Sequence, residues 1–393
     1  MASSSFSATI HFILLSITFF SVFFLPLPNK STSKTKPFIL PIRKDPGTNI
    51  FYTTISIGNS LTQHGSIPDA TIHRPNVRSI VSHKKCPKGA ACSGTGCIGP
   101  YKSGCATNDC DITVTNPLAQ FSSSYPMVED AIFLSHTFIL GFLVGCVDLV
   151  DDVISGHALQ VLANKLLPVF SLCFSSSNNL KIFGNIFIGV GGGGGNPQVE
   201  SKFLQTTPLV VNPVATGAVS IYGTPSIEYF IDVKAVKIDD HVVNLNPSLL
   251  SIDKKRNGST KISTATPWTE LHSSLYKPFV QEFVNKAARR RIKRVTSVSP
   301  FDACFDISTI GNSVTGLAVP IIDLVLPGGM TTKNVACLAF VDGGMKPKMS
   351  FVEASIVIGG NQLEDNLLVI DVASSKLSFS SSLLLRNAIC SHV

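Results

Sequence analysis

Short runs rich in valine, isoleucine, phenylalanine and threonine, broken by glycine, proline, asparagine and serine, recur along most of this chain. That spacing predicts β-strands, with residues 52–57, 227–238 and 350–358 as clear cases. Two segments follow a helical period instead, 157–166 and 278–291. The second places Phe279, Phe283, Val284 and Ala287 on one face. The pattern predicts an all-β protein with few short helices. One further run stands apart: residues 12–25 are predominantly apolar, and Pro26 and Pro28 follow them. A membrane helix needs roughly 20 apolar residues. The run is shorter and N-terminal, so it reads as a secretory signal peptide over 1–28, although no lysine or arginine precedes it. A retained anchor is the alternative.

Residues 191–195 are consecutive glycines followed by Asn196 and Pro197, a flexible punctuation that divides the chain into 37–206 and 207–393. The run also contains G-x-G-x-x-G from Gly189. Asn196-Pro197-Gln198 does not open a helix, and no acidic residue follows in a βαβ unit, so the motif reads as a loop and not a dinucleotide site. No internal repeat is evident.

Composition adds a large core: 44% of the 393 residues are hydrophobic and 15% charged, which suits a β-rich globular chain and excludes a disordered one. The net charge of +7 is dispersed, and no nucleic-acid motif accompanies it. It fits an extracellular protein among acidic wall polymers. Its one dense cluster, Arg289-Arg290-Arg291-Ile292-Lys293-Arg294, sits where cations suit the negative end of a helix dipole. Among ten cysteines, five crowd together: Cys86, Cys92, Cys97, Cys105 and Cys110. They contain no C-x-x-C pair and no histidine, so they read as disulfides and not a zinc site. An odd number leaves one to pair outside, with Cys146, Cys173 or Cys390. The scattered histidines lack metal spacing, and no G-x-S-x-G elbow occurs. Asn257-Gly258-Ser259 is a glycosylation sequon, and so is Asn29-Lys30-Ser31, near the expected cleavage point.

The candidate chemistry lies around Gly258, where Ser259-Thr260-Lys261-Ile262-Ser263-Thr264-Ala265-Thr266 precedes Trp268, Leu271 and Tyr276. This resembles the second active-site strand of pepsin-like aspartic peptidases, two apolar residues followed by Asp-Thr/Ser-Gly-Thr. The resemblance puts the Asp position on Ser263 and the Gly position on Ala265. PFILPIRKDPGTNIFYTTISIG (37–58), the stretch 207–246, SVSPFDACFD (297–306), VPIIDLVLPGG (319–329) and NVACLAFVDGG (334–344) point the same way. So does Ile356-Val357-Ile358-Gly359-Gly360-Asn361-Gln362 with Asp371. Together they resemble the plant group of basic 7S globulins, extracellular dermal glycoproteins and xylanase inhibitors.

The resemblance implies a bilobal pepsin-like fold, with a xylanase-inhibitor N-terminal type lobe over 37–206 and a C-terminal type lobe over 207–393. The first lobe is degenerate. Asp69 stands where the first catalytic Asp is expected, but Pro68 precedes it and Ala70-Thr71 replace the Thr/Ser-Gly turn. Residues 73–85 are polar and basic where a Trp-containing strand is expected, and the stretch between Gly329 and Asn334 is shorter than the family pattern. Aspartic proteolysis needs two carboxylates sharing one proton, one to activate water and one to protonate the carbonyl. A serine hydroxyl takes neither role.

The expectation is therefore a catalytically inactive secreted homologue, in the apoplast or cell wall. It would inhibit or bind microbial cell-wall glycoside hydrolases, xylanases or endoglucanases, in plant defence. Those enzymes work with paired carboxylates in a cleft, which an arginine on a rigid loop can enter. Arg386, in a loop-like stretch before Cys390, is the candidate contact; residues 306–319 supply no second basic side chain. The resemblance also implies a Cys304–Cys337 disulfide. It implies no cofactor and no membrane attachment after signal removal. The alternatives are an aspartic endopeptidase and a basic 7S storage globulin, the latter with a small peptide as ligand.

Overall fold

The computed structural model describes residues 38–57, 63–67, 69–70, 79–80, 91–92, 110–116, 121–134, 137–145, 154–155, 169–177, 183–189, 203–213, 219–220, 228–264, 266–327, 331–334, 339–344 and 354–392. The expected signal peptide and the helix over 157–166 lie outside these residues.

Period-two alternation starts the fold. In Phe38–Lys44, Leu40 and Ile42 are buried while Ile39, Pro41 and Arg43 face solvent. This strand pairs antiparallel with Gly184–Ile188, which pairs with Val169–Cys173, which pairs in turn with Leu367–Asp371. These inner strands are buried almost throughout, polar Ser171 and Asn185 included, as in strands covered on both faces. Lys376–Phe379 and Gln205–Val210 continue the ladder, so segments from both ends of the chain share one curled sheet. The expected boundary at 206/207 falls inside the strand Gln205–Val210.

The strand expected over 52–57 forms as Phe51–Ile57. The run 227–238 does not form one strand. Tyr229–Ile231 stays in the curled sheet, and after Asp232–Lys234 the strand Ala235–Ile238 joins a smaller sheet with His241–Val242, Ile322–Val325 and Thr331–Asn334. Of 350–358, the described strand is Ile356–Ile358.

The long helix runs Ser273–Arg289, five residues ahead of the expected start at Pro278. Proline favours the first helical position, which is why the sequence suggests that start. Here the His272 side chain accepts a hydrogen bond from the Ser274 N–H and caps the helix earlier, with Pro278 inside it. Its apolar face buries Phe279, Phe283 and Ala287 as expected and leaves Val284 half-buried; Leu275 is buried in the added first turn, and Phe279 packs on Phe340 with ring centroids 4.7 Å apart. Among the described residues no helix is long and apolar enough to cross a membrane.

Cys173 and Cys390 form a disulfide across a separation of 217 residues. They bond to each other, which corrects the expectation that either serves the odd cysteine of the cluster. Within the cluster, the backbone register sets Cys92 opposite Cys110.

Side chains of both sheets border a cavity of about 270 Å³ in the core, among them Ile262, Phe340 and Leu368 from the curled sheet and Val236 and Leu324 from the smaller one.

Candidate functional site

The strand Thr260–Ile262 carries the segment to Ser263. Thr260 and Ile262 point inward, while Lys261 points outward to a 2.8 Å ion pair with Glu228. The strand lies between Tyr229–Ile231, antiparallel, and Ile356–Ile358, parallel. Ser263 extends the parallel ladder, its N–H donating to the Ile358 carbonyl at 2.9 Å. The chain beyond is clamped from the same side. Gly360 N–H donates to Thr266 O at 2.8 Å and Asn361 N–H to Pro267 O at 2.9 Å. Gly359 N–H donates to the Thr269 hydroxyl, which itself donates to Gln362 Oε1.

This approach requires glycine. A Cβ on Gly359 would lie 2.2 Å from the Trp268 carbonyl oxygen, and one on Gly360 would lie 3.1 Å from the Phe51 ring. Ser263 is therefore a half-buried hydroxyl held on a backbone tied at several points. A hydroxyl there donates and accepts hydrogen bonds and carries no charge at acid or neutral pH.

Asp69 has a different backbone setting. It lies in the two-residue strand Asp69–Ala70, opposite Ser155 in an antiparallel pair with Ile154–Ser155, with no parallel strand beside it among the described residues. Its side chain, and Ala265, lie outside what is described.

Arg386 ends the short 3₁₀ helix Leu383–Arg386. Leu383 is buried and its N–H donates to Asp365 O at 2.7 Å; Asn387 closes the turn in the left-handed region, φ 55°. The Arg386 side chain is exposed, yet its guanidinium lies over the Phe203 ring, 3.7 Å from the centroid. That contact spans a separation no local motif encodes. The Cys173–Cys390 disulfide anchors the segment that follows.

Cys304 carries a free thiol that accepts from Val298 N–H at 3.3 Å; Cys337 lies outside the described residues. In the sequon, Asn257 is half-buried and its N–H donates to Asp253 Oδ1 at 2.9 Å. Ser259 is buried with its hydroxyl directed at Ile231 O.

Sequence reasoning missed the pair Lys44–Glu364, 2.7 Å apart and about one-tenth exposed, which ties the first strand to the end of the short helix Gly360–Leu363. No local signal could reveal it. Burial holds the Glu364 carboxyl above the ordinary carboxylate range, and the opposing pull of Lys44 does not cancel it. A raised folded value means that the fold prefers the protonated acid, so Glu364 lowers stability as pH rises from the unfolded value through the folded one. Asp45 and Asp371 are held low by hydrogen bonds from Thr48 and Ser374, so their contributions are lost only as pH falls below the ordinary aspartate value. The Glu364→Gln variant should lose less stability than wild type between about pH 4.5 and neutrality. Parallel slopes of melting temperature against pH in the two proteins would count against this assignment.

Comparison with known proteins bears on the family and the fold. Residues 228–381 match the family described as xylanase inhibitor C-terminal. The chain is similar to the probable aspartic proteinase GIP2 of Nicotiana benthamiana, 34% identical over 93% of this chain and 93% of the relative. It is similar to gamma conglutin 1 of Prunus dulcis, 31% identical over 90% of this chain and 88% of the relative. Among solved structures it resembles that titled edgp, at 30% identity and TM-score 0.73 over 92% of this chain and 98% of the other. The aspartic proteinase of Irpex lacteus, 11% identical with TM-score 0.50 over 88% and 97% of the two chains, shares the fold.

Proposed function

We propose, from the premise that this chain belongs to the plant aspartic-proteinase-like family of the GIP proteins and gamma conglutins, that it is a secreted binding protein without proteolytic activity. Its ligands are the glycoside hydrolases that microbes use on plant cell walls. The observation that carries the reading is the hydroxyl of Ser263 at the end of the parallel ladder with Ile356–Ile358. Aspartic proteolysis needs an ionisable acid at this place, facing a second one. The different backbone setting of Asp69 supports the same reading.

The match to a family described as xylanase inhibitor supports glycoside hydrolases as the partner class. The geometry at Arg386 fits that partner. The guanidinium lies over the Phe203 ring at an exposed position, where its fork of N–H groups can meet a partner. A carboxylate pair in a glycosidase cleft accepts such a fork bidentately. The rigid 3₁₀ turn holds the donor in place before binding, which limits the entropy lost on association. Secretion to the apoplast or cell wall is part of the proposal; the apolar N-terminal run and the Cys173–Cys390 disulfide support it.

The test is inhibition of a panel of family 11 and family 12 glycoside hydrolases by the purified mature protein. Arg386→Ala should weaken inhibition of a responsive enzyme by about tenfold or more, the loss of one charge-assisted contact. A panel left fully active at micromolar protein overturns the binding reading. Pepstatin-sensitive cleavage of a denatured protein at acid pH overturns the inactive one.

A further inference from the structure

The cavity bordered by the two sheets is large for a packing defect. Its 270 Å³ is nearly twice the ~150 Å³ that admits a benzene ring, and apolar voids of this kind stay dry and take up apolar molecules. Its walls are predominantly apolar, and its polar lining residues are uncharged: Gln205, Thr269, Gln362, Asn366, Ser380 and Ser381. Gln205, Ser381 and Leu385 are also exposed, so the mouth opens at this end. The lining also includes Ile322, Leu324 and Leu326.

We propose that this cavity binds a single-chain aliphatic molecule with an uncharged polar head, of the class of medium-chain alcohols. Scaling from benzene, whose six carbons fit about 150 Å³, the volume holds a chain of roughly ten carbons. The head would meet amides and hydroxyls at the mouth. A carboxylate would find no counter-charge among the described lining side chains, and burying it unpaired is costly. Arg386 follows Leu385 in sequence, but its guanidinium rests on Phe203. The proposal is independent of glycoside hydrolase binding.

The experiment is isothermal titration of the mature protein with 1-decanol and with decanoate, alongside thermal unfolding. Decanol should bind saturably at one site with a negative heat-capacity change and raise the melting temperature. Decanoate should bind about tenfold more weakly or less. Leu385→Trp closes the mouth from an exposed position, and Leu324→Phe fills the interior from a half-buried one. Each should weaken decanol binding by about tenfold or more while keeping the far-ultraviolet circular dichroism of wild type. Absence of saturable decanol binding to wild type, or unchanged binding in both variants, overturns the site. Decanoate binding as tightly as decanol overturns the uncharged head.

Discussion

Replacing Gly359 with alanine is expected to cost this protein about 3 kcal/mol of stability or more, the upper end for overpacking a filled interior. The reason is contact and not conformation. Gly359 has φ −84° and ψ 169°, extended backbone that any residue adopts. A Cβ there would lie 2.2 Å from the carbonyl oxygen of Trp268 and 2.3 Å from its carbonyl carbon, with Thr266 O at 2.9 Å. All three are backbone atoms, so no side chain can rotate away. Relief requires the segment 266–268 to part from the turn, which breaks the bonds from Gly360 to Thr266 and from Asn361 to Pro267. Those bonds fix the chain that leaves Ser263. Gly311→Ala is the matched control, because its Cβ would meet nothing closer than the Ala318 methyl at 3.9 Å. Denaturant midpoints should separate the two variants clearly. If Gly359→Ala unfolds within about 0.5 kcal/mol of wild type, the range of ordinary surface changes, the clamp beside Ser263 is not built as described.

Much of this site is legible locally, and the illegible part has a common cause. Ile262 and the hydroxyl of Ser263 after it can be read from eight consecutive letters. The helix face of Phe279 and Phe283 follows from its period, although the histidine cap moves its start. The burial phase slips after Ile231, from Ile231 and Val233 to Val236 and Ile238 with neither Lys234 nor Ala235 buried, but that slip does not reveal that the chain changes sheets. Period two reports which face is buried and says nothing about which sheet buries it. The same limit hides the Gly359 clamp, the Lys44–Glu364 pair and the stacking of Arg386 on Phe203. Each depends on strand order in the curled sheet, and no local pattern encodes strand order.

Strand order also decides the cysteine pairing, where the second large effect is expected. Removing the Cys173–Cys390 bond as the double alanine variant should cost about 2–5 kcal/mol, the usual loss for a native disulfide. The bond closes a very long loop, so its absence releases much chain entropy in the unfolded state. Both cysteines are fully buried against Leu367, Val369, Leu383 and Ala388, so shortening the side chains also leaves a small void. The bond from Asn185 Nδ2, in the strand Gly184–Ile188, to Cys390 O, 3.0 Å, would remain. Local loosening should therefore precede global unfolding, and amide exchange at 388–390 should quicken first. Arg386 sits just before this anchor, so the double variant should also lose inhibition of a responsive glycoside hydrolase while Arg386 itself is intact. A reducing agent applied to wild type should reproduce that loss. If the double variant inhibits as wild type does, the anchor serves stability alone, and the pre-set geometry of Arg386 comes from the Leu383–Arg386 turn and Phe203.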